Sequence, residues 1–315
     1  MSELSFPRRP SVAIIGAGIS GLTCARRLKD AGLRVAVFEK SRGLGGRLAT
    51  RRPFGREDAM GLDHGAPYAE GLADTAAIAG SSAAWEDAPA GALVGAPGMS
   101  DLVRPLAEGM RIERGVEIRE VARGEDWLLV DTEDNRHGPF DILVSAIPAP
   151  QATRLLGDAC PEAAEAVMAP VWTLLLCFDR PLVTDAPPIL RPQEGPFSLI
   201  LRDSAKPGRA PDRDGWVAHA RSDWTAERID EDKADMAKTL SSLFAEAVGV
   251  ALPEHAYRAA HRWRYATVEK PAGQAFRLSE DGGLGVCGDW RLGPKAGDAA
   301  RSGALLAEGL IKRLG

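Results

Sequence analysis

Three glycines near the start of the chain have the spacing of a phosphate-binding turn. Gly16, Gly18 and Gly21 lie in GAGISG, after the apolar run SVAII and at the start of a segment with helical spacing. The first glycine of such a turn permits a sharp bend, the second lets a pyrophosphate approach the backbone, and the third lets helix pack on strand. The helix N-terminus supplies N–H groups for the anion. The segment therefore predicts a dinucleotide-binding turn.

Glu39 and a second glycine-rich segment indicate which kind of dinucleotide this turn binds. Glu39 ends the predicted strand LRVAVFEK, 18 residues after Gly21, where a carboxylate accepts hydrogen bonds from ribose hydroxyls. A simple nicotinamide dehydrogenase does not require the glycine pair that follows. Glu39, Gly45, Gly46 and Arg47 resemble the ExxxxGGR pattern of the flavin amine oxidase and desaturase superfamily. The resemblance implies FAD, with Arg47 neutralising pyrophosphate charge.

The segment HRWRYA, residues 261–266, combines rings and positive charges. As a strand it places His261, Trp263 and Tyr265 on one face and Arg262 and Arg264 on the other, because side chains alternate. One face suits flat rings and the other suits anions. The alternative interpretation is a sheet core of aromatic residues with solvated arginines outside.

Two aspartates are candidates for a role in the functional site. Asp63 and His64, in GLDHGAPY, could form an acid–base pair, yet no serine or cysteine nucleophile lies nearby in the sequence. We therefore favour a positioning role for this segment, and a purely structural role for His64 stays open. Asp289, in CGDW, resembles the aspartate that binds a flavin ribityl hydroxyl. A helix beginning near Gly297 would present its positive end to the flavin pyrimidine edge and favour negative charge on the reduced ring.

The helices and strands predicted around these residues indicate an α/β protein. The opening segment predicts a βαβ unit with Gly32 closing its helix, and GMSDLVRPLAEG predicts a helix capped by Ser100 or Asp101 and ending before Gly109. The segment from Gly71 to Gly98 predicts an irregular region or short helices. Three further strands are predicted between residues 116 and 147: VEIREV, WLLVDT and DILVSAI.

From about residue 151 to 280 the pattern changes to that of an antiparallel sheet. Predicted strands are VWTLLLCFD, PFSLILRD, GWVAHARSD and YRAAHRWRYATV. DEDKADMAKTLSSLFAEAVG predicts a helix whose apolar stripe consists of Met236, Leu240, Leu243, Phe244 and Val248. The closing segment predicts strand, loop and helix.

Composition excludes several classes of protein. The 315 residues carry a net charge of −5 and have a pI near 5.7, which argues against a general nucleic-acid or anionic-membrane binder. Cys24, Cys160, Cys177 and Cys287 are scattered, which predicts neither a disulfide framework nor a metal site and favours a reducing compartment, the cytoplasm. No segment has the roughly 18 apolar residues of a membrane span.

Several segments taken in order resemble the bacterial renalases, within the flavin amine oxidase superfamily. They are IIGAGISGLTCARRL, EKSRGLGGR, DHGAPY, GAPGMSDLVRPLA, SAIPAPQATRLL, WVAHARSDW, HRWRYA and GDWRLGPKAGDAARSG. The resemblance implies a Rossmann-type FAD-binding domain built from residues 1–66, 98–150 and 281–315. A smaller substrate domain with a mixed or antiparallel sheet would comprise 67–97 and 151–280.

The same resemblance implies a specific chemistry and a set of site residues. Bacterial renalases oxidise the 2- and 6-dihydro isomers of reduced nicotinamide dinucleotides to NAD(P)+, passing hydride to flavin N5 and then electrons to dioxygen to give hydrogen peroxide. His64, His261, Trp263, Tyr265, Arg262 and Arg264 would shape the substrate pocket. Noncovalent FAD would be bound by Gly16, Gly18, Ile19, Ser20, Gly21, Glu39, Lys40, Gly45, Gly46, Arg47, His64, Gly65, Ala66, Ile118, Ala146, Gly288, Asp289, Asp298 and Ala299.

The chain departs from the renalases in one region, so other functions stay open. The family continues DHGA with an aromatic-rich stretch, whereas this chain has PYAEGLAD and an alanine-rich segment to residue 97. A flavin amine oxidase of another small substrate is one alternative, although the two arginines of HRWRYA disfavour a cationic substrate. A flavin-binding protein without turnover is another. Carotenoid or porphyrin desaturases are larger and present an apolar membrane-facing patch.

Overall fold

The computed structural model describes residues 9–55, 60–72, 81–209 and 212–315. These residues form two compact units, each built from separate segments of chain. The first unit takes the described residues of Met1–Gly46, Val103–Met168 and Val268–Gly315, and the second those of Arg47–Leu102 and Ala169–Thr267. The bounds differ from the expected ones, because 47–66 and 98–102 belong to the second unit and 151–168 and 268–280 to the first.

The first unit is centred on a six-stranded sheet of the doubly wound type. With elements numbered in chain order, the strands lie side by side as β17 (Arg277–Leu278), β18 (Leu284–Val286), β11 (Ile142–Ser145), β1 (Ser11–Ile15), β2 (Arg34–Glu39) and β7 (Arg111–Arg114). All neighbours are parallel except β17 and β18. The strand β1 is buried along its whole length, as is typical of a parallel sheet covered on both faces. The expected α/β class is confirmed.

Among the described residues, three helices of eight residues or more accompany this sheet. They are α1 (Ile19–Asp30), α3 (Ala149–Leu156) and α6 (Ala296–Leu314). The first and last of them cross closely, since a Cβ on Gly303 of α6 would overlap the carbonyl oxygen of Ser20 in α1. Gly32 has a φ of 89° just beyond α1, a conformation that glycine adopts without strain. A separate antiparallel meander consists of β8 (Ile118–Arg123), β9 (Trp127–Asp131) and β10 (Arg136–Phe140).

The second unit is centred on a five-stranded sheet. Its strands lie in the order β13 (Ile189–Leu190), β14 (Phe197–Arg202), β15 (Asp214–Ala220), β12 (Val167–Phe178) and β16 (Tyr257–Lys270). One face of this sheet carries Trp172 and Trp216 and packs on α5 (Lys233–Val248), whose predicted stripe is buried or half-buried. The helix α4 (Ser222–Ala226) lies in the same unit. The opposite face forms a smaller apolar cluster of Met60, Leu62, Leu175, Cys177 and Val217.

Two predictions about the region before residue 110 were wrong in part. Instead of an irregular region or short helices, 81–98 contains the pair β5 (Ser82–Ala84) and β6 (Leu93–Gly95), while 73–80 lies outside the described residues. The predicted helix is a 3-10 turn over Met99–Val103 followed by the short α2 (Arg104–Ala107). Neither Ser100 nor Asp101 caps α2, because its N-cap position is Val103, and the carboxylate of Asp101 pairs with Arg52 at 3.3 Å. The described residues also include the short pair β3 (Thr50–Arg51) and β4 (Leu62–Asp63).

Helix length and polarity bear on membrane association. Among the described residues, no helix combines the length and the apolar character that crossing a lipid bilayer requires.

Candidate functional site

The turn after β1 has the geometry of a dinucleotide-binding turn. Gly16 has a φ of 104°, and a Cβ there would lie 2.8 Å from the carbonyl oxygen of Ala146. A Cβ on Gly21 would overlap the carbonyl oxygen of Gly16. These two glycines are therefore required by the fold itself. Ile19 and Ser20 begin α1, so their backbone N–H groups lie at its positive end.

Gly18 differs from its neighbours in a way that points to a ligand. A Cβ built on Gly18 meets no protein atom within 4 Å, and its backbone is extended with a φ of −74°. The protein alone therefore gives no reason for a glycine here. The open space lies where the second glycine of this motif admits a pyrophosphate, so the residues present fit a dinucleotide cofactor.

The carboxylate of Glu39 is buried and anchors the same turn. One oxygen accepts from the backbone N–H of Ala17 and the other from that of Ser41, each at 2.8 Å. Each carboxylate oxygen retains a second lone pair for a ribose hydroxyl. Lys40, by contrast, is exposed and lies 3.8 Å from Glu117.

The second glycine pair packs directly on the first turn. The N–H of Gly45 donates to the carbonyl of Ala17 at 2.9 Å, and Gly45 forms a parallel bridge with Gly18. A Cβ on Gly46 would lie 3.5 Å from the Cα of Gly18, and Gly46 has a φ of 56°. The two glycine-rich segments that the sequence separates by more than twenty residues thus form one surface of the first unit.

The remaining predicted cofactor residues of the first unit lie at the ends of β8, β11 and β18. Asp289 is buried and begins a 3-10 turn directly after Gly288, whose N–H donates to Ser302 of α6 at 3.0 Å. Asp298 caps α6 by accepting from the N–H of Lys295 at 3.1 Å. Buried or backbone-bonded positions are also taken by Ile118, Ala146 and Ala299.

In the second unit, a carbonyl of Arg47 holds the segment that contains His64. The N–H of Ala66 donates to it at 2.7 Å, and a Cβ on Gly65 would overlap the same oxygen. The guanidinium of Arg47 donates through Nη1 to the carbonyl of Ala266 at 3.1 Å. Arg47 thus connects the loop after β4 to the end of HRWRYA.

His64, His261 and Trp263 form a compact aromatic cluster. The imidazole of His64 stacks on the indole of Trp263, with ring centres 5.3 Å apart and planes 25° apart. His261 lies edge-on to His64 at 4.7 Å and 4.3 Å from the indole. The indole Nε1 donates to the carbonyl of His64 at 2.8 Å. The structure therefore brings together the ring-bearing residues that the sequence placed on one face of a strand, with Tyr265 two positions further along β16.

Both imidazoles of this cluster are uncharged at neutral pH. Burial, helped by the nearby charge of Arg51, lowers the pKa of His64 to about 4. Burial and the proximity of His64 lower the pKa of His261 to about 3. A neutral cluster of three rings is suited to a flat substrate without positive charge.

A buried network of charged groups, which the sequence did not reveal, lies behind His64. Asp63 accepts from Lys206 at 2.9 Å, from the hydroxyl of Thr50 at 2.7 Å and from Arg209, while Lys206 also lies 2.5 Å from Asp203. Although burial opposes it, Lys206 and Arg209 hold the pKa of Asp63 well below its usual range. Asp63 therefore binds these cations and is not the acid–base partner of His64. In the sequence, DSAKPGR is indistinguishable from a solvated turn.

The arginines of HRWRYA face away from the aromatic cluster. Arg264 lies 2.7 Å from Asp230, and Arg262 donates to the carbonyl of Ile229 at 2.6 Å and lies over the ring of Trp172. Each arginine thus has a partner within the second unit.

Comparisons with known proteins agree with this geometry. The model of a family described as flavin containing amine oxidoreductase matches residues 59–308, and that of an NAD(P)-binding Rossmann-like domain matches residues 14–79. The chain is 31% identical over 151 residues to a protein named probable polyamine oxidase 4 from Arabidopsis thaliana, and 39% identical over 70 residues to polyamine oxidase 5 from Oryza sativa. These matches cover 48% and 22% of this chain, but only 23% and 13% of the relatives.

Solved structures match over nearly the whole chain. Cyclohexylamine oxidase from Brevibacterium oxydans has a TM-score of 0.72 at 13% identity, covering 98% of this chain and 100% of that one. Wild-type putrescine oxidase bound to putrescine has a TM-score of 0.64 at 15% identity, covering 97% and 99%. At such identities the likeness concerns the fold. The family match covers most of the chain, and the chain belongs to the flavin-containing amine oxidoreductase family.

Proposed function

We propose that this protein is an FAD-dependent oxidase of the renalase type. Its substrates would be the 2- and 6-dihydro isomers of reduced nicotinamide dinucleotides, which lose a hydride and become NAD(P)+. Bound FAD supplies the hydride acceptor at N5 and returns the electrons to dioxygen, which with two protons becomes hydrogen peroxide. The chain's own residues bind and orient the substrate ring.

The observation that carries this proposal is the uncharged aromatic cluster of His64, His261 and Trp263. A dihydropyridine ring is flat, neutral and electron-rich, and it stacks well on an indole or imidazole. It needs no strong base, because its own nitrogen lone pair expels the hydride. Holding the ring in one orientation then contributes most of what the protein supplies.

The charges around this cluster disfavour an ammonium substrate. A cationic amine is bound by carboxylates or by an open aromatic cage. Asp63, the carboxylate next to His64 in the chain, is engaged by Lys206 and Arg209. The neighbouring charge of Arg51 would further repel a cation. A dinucleotide, which carries phosphates, does not meet this obstacle.

Amine oxidation is the second candidate, because polyamine, putrescine and cyclohexylamine oxidases are among the similar proteins. An amine would have to reach the flavin as the free base. The rate of flavin reduction by an amine would then rise with pH up to the pKa of that amine. Reduction by a dihydronicotinamide would show no such rise.

The test is anaerobic stopped-flow absorbance of the purified holoprotein, following the blue band of oxidised flavin. The protein is mixed with the 2- and 6-dihydro isomers of NADH, with ordinary NADH, and with putrescine and cyclohexylamine. Rapid bleaching by the isomers alone, reversed by oxygen, is the expected result. Bleaching by an amine would replace the proposal with the second candidate. A flavin that none of these compounds bleaches would overturn both and leave a flavin-binding protein without turnover.

A further inference from the structure

Thr173 and His219 face each other across two neighbouring strands of the second unit. They are register partners in the antiparallel pair β12 and β15, so their side chains leave the same face of the sheet. Along β12, Thr173 alternates with Trp172 and Leu174, which belong to the cluster under α5. Thr173 and His219 therefore lie on the opposite face.

That opposite face changes character along its length. Leu175 and Val217, the next register pair on this face, belong to the closed apolar cluster that Met60 and Leu62 cover. Beyond them, the face becomes polar at Thr173 and His219. His64 follows Leu62 by two residues, and β16, which carries His261, is the strand beside β12. The polar end of this face is thus next to the aromatic cluster.

Buried polar atoms without hydrogen-bond partners lie at this end of the face. In the described ranges, the hydroxyl of Thr173 and Nε2 of His219 are both buried, and neither has a hydrogen-bond partner. A buried polar group without a partner costs about 1–3 kcal/mol. Most side chains of the apolar cluster under α5, on the other face of the sheet, have no polar atom that needs a hydrogen-bond partner. Two such groups facing each other on one surface indicate that something outside the protein chain meets them.

The state of His219 restricts what that something is. Burial and the charge of Lys206 lower the pKa of His219 to about 4, so its imidazole is neutral near pH 7. A neutral imidazole and a hydroxyl can each donate or accept a hydrogen bond. Lys206 and Arg209 together balance the carboxylates of Asp63 and Asp203, so the buried network beside His219 carries no net charge.

We propose that Thr173 and His219 form a hydrogen-bonding subsite for an uncharged group that both donates and accepts, of which a primary carboxamide is the type. The identification of that group as the carboxamide of the nicotinamide ring rests on the proposed function. The subsite determines specificity: it distinguishes a ring bearing an amide from the same ring bearing only an acceptor.

The test uses small probes that need no turnover. The oxidised holoprotein is titrated with benzamide and with acetophenone, which has the carbonyl but no N–H, and binding is followed by the shift of the flavin spectrum. The wild type is expected to prefer benzamide by about tenfold, the value of one to two hydrogen bonds. Thr173→Val, which keeps the shape, and His219→Leu should each bring the preference towards one. Ser242→Ala, which removes an exposed hydroxyl from α5, should leave it unchanged.

A second probe pair separates this subsite from the proposed function. NAD+ and its 3-acetylpyridine analogue differ in the same way as benzamide and acetophenone. If the variants lose amide preference although no dinucleotide isomer bleaches the flavin, the subsite stands and the proposed function falls. If the isomers bleach the flavin and the variants retain the wild-type preference, the subsite is overturned and the proposed function stands. A wild type without amide preference, or one that binds neither small probe, also overturns the subsite. Should His219→Leu fail to fold, Thr173→Val decides.

Discussion

Trp263 holds His64 at two points. Its indole Nε1 donates to the carbonyl oxygen of His64 at 2.8 Å, and its ring stacks on the imidazole of the same residue. The two residues are 199 positions apart in the chain. The orientation of the His64 ring is therefore set by a backbone contact and a ring contact from one side chain, which fixes the surface offered to a substrate ring.

Trp263→Phe is expected to slow flavin reduction by about tenfold while leaving the fold intact. The phenyl ring keeps part of the stacking, but the carbonyl of His64 loses its donor, a loss of about 1–3 kcal/mol. Stopped-flow reduction and thermal unfolding of the holoprotein measure the two effects separately. Trp127→Phe is the matched control, since Trp127 lies in β9 of the first unit and its indole likewise donates to a backbone carbonyl, that of Gly283, at 2.8 Å. Equal slowing in both variants would contradict a specific role for Trp263.

Gly18→Ala and Gly21→Ala should fail in different ways. A Cβ on Gly18 meets no protein atom within 4 Å, whereas one on Gly21 overlaps the carbonyl of Gly16. We expect Gly18→Ala to fold with normal secondary structure but to purify with little FAD. Gly21→Ala should lose stability by about 1–3 kcal/mol or more. Circular dichroism measures the folding of each variant, and the ratio of flavin to protein absorbance measures its FAD content. If Gly18→Ala purified with full FAD, the pyrophosphate would not bind at this turn.

Lys206→Met should be among the most damaging single changes in the second unit. Removing this buried cation leaves Asp63 and Asp203 close together with only Arg209 to balance them, at a cost of about 3–5 kcal/mol. Lys238→Met is the control, because the pair of Lys238 with Asp235 is exposed and contributes about 0–1 kcal/mol. Urea unfolding of both variants gives the difference. Similar midpoints for the two would mean that the buried network does not stabilise the fold.

The free energy of unfolding should fall as the pH is lowered from about 7 towards 5. His64, His219 and His261 have folded-state pKa values of about 4, 4 and 3, whereas an unfolded histidine titrates near 6.5. Below about pH 6.5 the unfolded chain therefore binds protons that the folded protein does not bind, and the free energy of unfolding decreases as pH falls.

Urea midpoints at a series of pH values measure this slope, and His261→Phe should reduce it. The depressed pKa of Asp63 acts in the same direction but in a lower range, since its contribution is present above the unfolded value of about 4 and is lost only below it, so it does not contribute to the slope between pH 7 and 5. A midpoint that stays constant between pH 7 and 5 would show that these imidazoles titrate in the folded protein as they do in the unfolded chain.

Arg264→Ala tests whether HRWRYA contributes to phosphate recognition. If the guanidinium that Asp230 now holds also meets a substrate phosphate, the variant should raise KM for a dinucleotide by about tenfold with little change in the rate of flavin reduction. The mononucleotide isomer, which lacks the second phosphate and the adenosine, should be less affected. Arg111→Ala, at an exposed site of the first unit, is the control. A lower reduction rate at unchanged KM would exclude phosphate binding.

Local patterns could be predicted from the sequence more accurately than contacts between residues that are distant in the chain. The spacing of Gly16, Gly18 and Gly21 and the alternation in HRWRYA are properties of neighbouring residues, and the structure places both as expected. The bounds of the two units and the failure of Asp101 to cap a helix depend on contacts with residues far away in the chain. Lys206 and His219 could not be singled out, because their role comes from burial, and nothing next to them in the sequence distinguishes them from surface residues.

The last segment of the chain completes a sheet that the first segment begins. β18 pairs with β11, and α6 packs on α1, so α1 lacks its neighbour until residues 296–314 have been synthesised. All segments of the second unit have left the ribosome once Thr267 has emerged. We therefore expect that unit to condense first during translation. A premature stop codon in the final segment would leave the nucleotide-binding unit unfinished and its apolar strands exposed to chaperones and proteases.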